Sequence, residues 1–370
     1  MNTQPDWAYA AALCRIPGCG ATTAFRMLVL HEAPEAFDRA AAAARAQGAR
    51  VDGDAVATIR EECESLGISV AFVRDADFPL VLAANPGPCG VFFHRGDLSL
   101  VAGRRVGIVG TRTPTPSGVY TAREIGEGLS QAGVHVVSGL AKGIDAAAHD
   151  GVRNGVNDRG ATGGAIAVVG SGLDVIYPRA NAALWDWVAE RGLLISEHPP
   201  KTAAEPHHFP RRNRIIAALS EVVVVVESRE SGGSMSTVRQ AIERQRDVLA
   251  VPGSPRVASS AGTNLLIQQG CGAVTCADDV LSVLALDHRH SEAFDRDERT
   301  TPETRDILVL DACSRGPVTL DQLVVATGWS LAELATALGR LEATGWVVEE
   351  AGWWEALLLR RGRHAGERIS

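Results

Sequence analysis

Short runs of β-branched and aliphatic residues alternate with helical patterns from Arg105 onward. This alternation is typical of a parallel sheet with crossover helices, so it predicts an α/β domain. The uninterrupted valines of Val222–Val226 predict a central strand that helices cover on both faces. The predicted strands are Val106–Val109, Val134–Ser138, Ala165–Val169, Leu193–Ser196, Val222–Glu227 and Val248–Val251, and the predicted helices are Gly118–Ala132, Ala180–Arg191 and Met235–Gln245.

Smaller regions flank this sheet domain. The first is rich in helix-forming residues, and its Ile16–Gly20 turn fits either a helix-hairpin-helix that holds a phosphate or a plain packing turn. The last has a three-helix and hairpin pattern, the order of a winged helix. The predicted domains are 1–85 (small, helical), 86–286 (Rossmann-like), 287–302 (linker), 303–360 (winged helix) and 361–370 (tail). Within the winged helix we expect helices at Glu303–Cys313, Leu320–Thr327 and Leu331–Ala343 and strands at Trp346–Glu349 and Trp353–Leu359.

Composition limits the class of protein. The chain has 46% hydrophobic and 22% charged residues, without an apolar run of bilayer length or a secretory signal, which predicts a cytoplasmic protein without a membrane span. Its seven cysteines form no paired C-x-x-C sets, so we expect reduced thiols. The formal net charge of −8 means that any nucleic-acid site must depend on a local cluster of cations.

Unusual loops follow the predicted strands at their carboxyl ends, where open α/β sheets bind ligands. After the first strand, Gly110 permits close backbone approach, and Arg112 offers a fork for phosphate near a helix start that Ser117 can cap. The alternative is a tight turn in which Arg112 pairs with a carboxylate of a neighbouring loop.

The second loop, Ser138–Asp145, contains Gly139, Lys142 and Gly143, which makes a phosphate cradle plausible. We expect the Asp145 carboxylate to fix the loop by accepting backbone hydrogen bonds. His149, on the helix that follows, is interpreted as a packing residue.

The third loop contains Gly170, Ser171 and Gly172, but Val175 stands where a dinucleotide fingerprint has its third glycine. We therefore expect no nicotinamide cofactor. Arg179, which follows Tyr177-Pro178, is either a phosphate contact or a solvated charge.

The fourth loop is the densest positive cluster of this acidic chain, and it fits a polynucleotide because arginine binds phosphate and an aromatic ring can support a base. Its candidate residues are Phe209, Arg211, Arg212, Asn213 and Arg214. The alternative is a charged helix start with arginines paired to Glu221 or Glu227 and Phe209 in the core.

Six spaced motifs in this order resemble the DNA-processing protein A (DprA/Smf) family. They are Gly110-Thr-Arg112, Ser138-Gly-Leu-Ala-Lys-Gly-Ile-Asp145, Gly170-Ser-Gly-Leu-Asp174 with Tyr177-Pro, Phe209-Pro-Arg-Arg-Asn-Arg-Ile-Ile216, Ser231-Gly-Gly-Ser234 and Val251-Pro-Gly253. The resemblance is strong over about residues 100–280 and weak in the helical region before them.

The resemblance implies a homodimer that binds single-stranded DNA, displaces single-strand-binding protein and loads RecA recombinase during natural transformation. It implies DNA contacts at Arg112 and Arg179 and a positive pocket lined by Phe209–Arg214, with no reaction, cofactor or metal ion. Two segments depart from the family pattern. Residues 154–164 look like an insertion that could alter the pocket rim, and Ser231–Ser236 leaves the contacts of its loop in doubt.

An enzyme of the phosphoribohydrolase class is the competing hypothesis, because Gly232-Gly233 resembles part of its P-G-G-x-G-T-x-x-E motif. Arg239 stands at the acidic position of that motif, so the carboxylate that glycosidic cleavage needs is missing. A base-reading transcription factor is a third hypothesis. Its recognition helix would be Ser330–Leu341, which offers a major groove only Arg340 beside Glu333.

Overall fold

The computed structural model describes residues 4–84, 87–286, 300–350 and 352–356. The chain forms two compact units, Met1–Val283 and Leu284–Ser370. Among the described helices, none combines the length and hydropathy that a bilayer crossing requires.

The first unit opens with helices, of which the first and third bury alanine-rich faces. These are α1 (Asp6–Leu13), α2 (Ala21–Leu30), α3 (Ala33–Ala46), α4 (Ala55–Leu66) and the short α5 (Leu80–Ala83). The strands of this unit are β1 (Ser69–Phe72), β2 (Val91–Gly96), β3 (Arg105–Val109), β4 (His135–Ser138), β5 (Ala165–Val168), β6 (Leu193–Ser196), β7 (Val222–Val225), β8 (Asp247–Ala250) and β9 (Gly272–Ala273). Its other helices are α6 (Pro116–Gln131), α7 (Ile144–Arg159), α8 (Ala182–Arg191), α9 (His208–Leu219), α10 (Ser234–Glu243), α11 (Ala261–Gln268) and α12 (Ala277–Leu286).

All nine strands form one sheet in the order β1-β2-β6-β5-β4-β3-β7-β8-β9. Strands β3 to β9 are parallel, while β2 pairs antiparallel with both β1 and β6. The valine strand β7 lies between β3 and β8, and its side chains are almost fully buried. The predicted parallel α/β architecture and the central position of the valine strand are therefore confirmed, with element ends shifted by one or two residues.

Three local features differ from the sequence-based predictions. The segment of residues 1–85 is not wholly helical, because its strand β1 pairs with β2 in the main sheet. Thr115, rather than Ser117, caps α6 by accepting a hydrogen bond from the Gly118 amide at 3.1 Å. Pro116 occupies the first turn of that helix, where its missing amide hydrogen costs nothing.

The suspected insertion at residues 154–164 is the third difference. Helix α7 runs through it to Arg159 and ends at Gly160, whose left-handed conformation (φ 63°) suits glycine. The Gly163 amide then donates to the Ser130 carbonyl at 2.9 Å, just before β5 begins. The segment therefore lies at the amino-terminal edge of the sheet, opposite the loops discussed above, and cannot shape their rim.

The second unit has helices α13 (Ile307–Ser314), α14 (Leu320–Thr327) and α15 (Leu331–Ala343) and a small sheet of β10 (Val318–Thr319), β11 (Val347–Glu350) and β12 (Trp353–Ala356). Its strand order is β10-β12-β11. Capping boxes begin α14 at Thr319 and α15 at Ser330. The predicted helices and hairpin are present. The linker residues 287–299, the predicted strand end at 357–359 and the tail 361–370 lie outside the described residues.

Candidate nucleic-acid interface

The strand order reverses between β3 and β7, the place where open parallel sheets form a ligand crevice. A groove of about 840 Å³ opens there at the carboxyl ends of both strands. Gly110, Thr111 and Arg112 line it from the loop after β3, and Arg229 lines it from the loop after β7. A cavity of about 130 Å³ shares Arg112 and Phe209 with the groove.

Arg112 lies exposed at the mouth of both cavities. Its backbone is set by Thr111, whose amide donates to the Glu227 carbonyl at 2.7 Å and whose carbonyl accepts from the Ile144 amide at 3.2 Å. Its guanidinium carbon lies 4.7 Å from the centre of the Phe209 ring. Among the described residues no carboxylate pairs with Arg112 within 4.0 Å, so the alternative of an ion-paired turn has no support here.

Hydrogen bonds from two side chains fix the loop between β4 and α7. The buried Asp145 carboxylate accepts the Gly139 amide at 3.2 Å, which is the role predicted for it. The Asn181 amide donates to the carbonyls of Leu140 and Ala141 at 2.9 and 3.2 Å, which joins this loop to the next one. Lys142 remains exposed and lines the smaller cavity.

Arg212 is buried beneath these loops, with 5% of its surface exposed. Its guanidinium donates to the Val168 carbonyl and occupies the space that a Cβ at Gly139 would need, so a side chain there would displace it. Burial lowers the pKa of Arg212 to about 10, although the Asp145 carboxylate opposes this shift. Burial likewise raises the pKa of Asp145 against the effect of Arg212. Arg212 therefore supports the loops instead of projecting from them.

Hydrogen bonds within the third loop and a polar contact with helix α9 fix the conformation of this loop. The Ser171 hydroxyl donates to the Val175 carbonyl at 2.8 Å, and the Gly170 carbonyl lies 3.0 Å from His208 Nδ1. A Cβ at Gly172 would lie 2.7 Å from the Pro199 carbonyl oxygen, which explains the glycine. Gly170 and Ser171 line the smaller cavity. Arg179 is exposed and directly follows the cis-bonded Tyr177 and Pro178, which also line that cavity.

Helix α9 distributes the fourth cluster over two faces. Phe209, Arg212 and Asn213 have the i, i+3, i+4 spacing of one helix face, and all three line the groove. Arg211 and Arg214 instead line a separate cavity of about 480 Å³. The Arg214 guanidinium forms a 2.5 Å ion pair with Glu197. The alternative in which this arginine pairs with Glu221 or Glu227 is therefore wrong, and Arg214 lies apart from the other candidates.

Three groove residues were missed by the sequence reasoning. Arg229 and Arg239 are exposed and line the groove from the β7 loop and from α10. Tyr177 contributes a second ring, 5.6 Å from the centre of Phe209. Both arginines follow the valine strand in the sequence, and the strand order of the sheet reverses beside this strand. That reversal was the signal that could have identified them as groove residues. Among the residues that line the groove, Asp145 is the one carboxylate.

A group of possible metal ligands lies at the start of α9. One donor atom each from Glu205, His207 and His208 lies within 4.8 Å of the others. Glu205 and His207 are exposed and already form a 3.3 Å contact, and Nδ1 of His208 is engaged by the Gly170 carbonyl. This arrangement is fully explained by contacts within the chain.

Comparisons with known proteins place the chain in a family. The family model for DNA recombination-mediator protein A matches residues 69–285, and the model for the DprA winged helix domain matches residues 294–352. The chain is 32% identical to a putative DNA processing protein DprA from Mycobacterium tuberculosis over 99% of this chain and 97% of the relative. It is 41% identical to the DNA processing protein DprA of Bacillus subtilis over 59% of this chain and 72% of the relative.

The fold also matches a solved structure of DNA processing protein A from Helicobacter pylori, a structure that concerns the single-stranded DNA binding mode of that protein. The TM-score is 0.53, and the sequences are 27% identical over 59% of this chain and 97% of that chain. Sequence, domain order and fold thus agree. The chain belongs to the DNA recombination-mediator protein A family, the DprA/Smf proteins.

Proposed function

We propose that the groove at the β3–β7 reversal binds single-stranded DNA. The observation that carries this proposal is Arg112, exposed without a carboxylate partner among the described residues and stacked on Phe209. A guanidinium can hold phosphate while the neighbouring rings of Phe209 and Tyr177 support unpaired bases. Lys142, Arg229 and Arg239 extend the positive lining. The Helicobacter pylori relative supports the choice of a single strand.

Binding of a fluorescent oligothymidylate, measured by anisotropy across a salt series, tests the proposal. If about four phosphates are neutralised, log K should fall against log salt with a slope near −3. Arg112→Ala should weaken binding by about one to two decades, because a hydrogen bond to a charged group is worth roughly 1.5–3 kcal/mol. Arg191→Ala is the matched control, since Arg191 is exposed at the opposite, amino-terminal edge of the sheet.

A slope near zero, or equal binding by the Arg112 variant and the wild type, would rule out the phosphate groove. Preference for one duplex sequence would rule it out as well. Melting curves of both variants show whether the fold is intact.

The proposed physiological step is delivery of the bound strand to RecA during transformation, by a homodimer that displaces single-strand-binding protein. Family membership and the single-strand groove support it. With DNA coated by single-strand-binding protein, we expect the wild-type protein to accelerate RecA filament formation and Arg112→Ala to lose this effect. If Arg112→Ala still accelerates RecA filament formation, RecA loading does not depend on the groove. Analytical sedimentation would test whether the protein is a homodimer.

The phosphoribohydrolase hypothesis remains the alternative, and the groove gives it little support. The single carboxylate that lines the groove, Asp145, is buried and is engaged by the Gly139 amide, so it is poorly placed to face a cationic sugar. We expect no free base on incubation with nucleoside monophosphates. Release detected by chromatography, and lost on changing Arg239, would establish the enzyme instead.

A further inference from the structure

The described part of the winged helix carries the wrong charge for a nucleic-acid module. From Thr300 to Ala356 the chain has nine acidic residues, three arginines and no lysine. Related helix-turn-helix modules insert a recognition helix into the major groove and neutralise phosphates around it. An excess of acidic residues over so short a segment would repel the duplex instead.

Each of the three arginines is also held within the unit. The Arg340 guanidinium, on α15, forms two hydrogen bonds with Asp306 at 2.7 and 2.9 Å. Arg315 pairs with Asp311 at 2.7 Å. Arg305 pairs with Glu333 at 3.1 Å and lies over the Trp329 ring. The helix in the recognition position therefore has no arginine available for phosphate.

The same unit exposes large apolar side chains. Val325 on α14 is 86% exposed, and Leu331 at the start of α15 is 54% exposed. In the hairpin, Val348 pairs with Glu355 and Glu350 with Trp353, so Val348 and Trp353 share one face, and both are exposed. Exposed apolar side chains that lie side by side mark a protein-binding surface, and Val348 and Trp353 do so on one face of the hairpin.

We propose that the winged helix docks a protein segment that presents basic side chains around apolar anchors. Charge complementarity selects the basic partner, because acidic residues such as Glu342 and Glu349 are exposed on the same unit. Trp353 and Val348 supply the apolar contact area on one face of the hairpin, tryptophan being enriched where binding energy concentrates. This proposal goes beyond the single-strand groove and does not depend on it.

The test uses the full chain and a fluorescent peptide of about 14 residues with leucines and arginines at helical spacing. Two comparison peptides replace every arginine by glutamate or every leucine by serine. We expect the leucine–arginine peptide to bind at least about tenfold more tightly than either. Val348→Ser and Glu342→Lys should each weaken that binding about fivefold or more, without affecting the fold since both residues are exposed.

Tyr120→Ser and Glu124→Lys are the matched controls, because both residues are exposed on α6 of the other unit. They should leave peptide binding unchanged. Equal binding of the three peptides, or unaltered binding by the Val348 and Glu342 variants, would overturn the proposal. Binding of a duplex oligonucleotide that Arg315→Ala weakens would assign the unit to DNA instead.

Discussion

Arg112 and Arg212 show how burial separates the roles of two arginines near one groove. Arg112 is exposed and faces the cavities, so its guanidinium is free for phosphate. Arg212 is buried, donates to the Val168 carbonyl and lies beside Asp145. Replacing Arg212 leaves the buried Val168 carbonyl without this donor, which typically costs about 1–3 kcal/mol of stability. Loss of DNA binding on changing Arg212 would therefore report a disturbed fold.

Gly139 provides a sharper test of the loop geometry at the residue scale. A Cβ at this position would overlap the buried Arg212 guanidinium, which would have to leave its hydrogen bond with the Val168 carbonyl. We expect Gly139→Ala to lower the free energy of unfolding by about 1–3 kcal/mol, the usual cost of overpacking. Single-strand affinity should fall with it, because the loop also positions Lys142.

Chemical denaturation and anisotropy measure the two effects. Gly53→Ala is the matched control, since no atom lies within 4 Å of the Cβ it would introduce. A Gly139→Ala protein with wild-type stability and affinity would show that the Arg212 contact does not constrain the loop.

At the scale of elements, Asn181 couples two loops of the groove. It follows the cis-proline turn, and its side-chain amide donates to both Leu140 and Ala141. Each neutral hydrogen bond contributes about 1 kcal/mol, so Asn181→Ala should free the β4–α7 loop. We expect single-strand affinity to fall about fivefold to tenfold.

Hydrogen exchange of residues 139–143 should accelerate in the same variant. Asn157→Ala is the control. Asn157 lies on α7, and its side chain accepts a long, exposed hydrogen bond of 3.4 Å from the Trp187 indole nitrogen. Unchanged exchange and affinity in Asn181→Ala would mean that the loops hold their positions independently.

For the whole molecule, the acidic net charge and the cationic groove predict that DNA binding resides in the first unit. Truncation after Asp287 keeps every groove residue and removes the acidic winged helix. We expect the truncated protein to bind oligothymidylate within about threefold of the full chain, a change far smaller than that of Arg112→Ala.

Circular dichroism and a melting curve must show that the truncated protein is folded. If it is folded and binds no DNA while Arg112→Ala binds normally, the DNA site lies in the second unit, and the assignment of the groove is wrong.

The sequence by itself determined the local parts of this protein. Alternating apolar runs defined the parallel strands, the valine run defined a buried central strand, and the glycine-rich loops with Arg112 and Lys142 marked the edge of the sheet that carries the candidate site. These features depend on neighbours in the chain, through hydrophobic periodicity and turn chemistry.

Tertiary structure alone decided which of the candidate cations meet. Strand order brought the loop after β7, with Arg229, beside the loop after β3. Packing turned Arg214 toward Glu197 and buried Arg212 under Gly139. The physical reason is that ion pairing and burial depend on residues distant in sequence, whose approach is set by sheet topology.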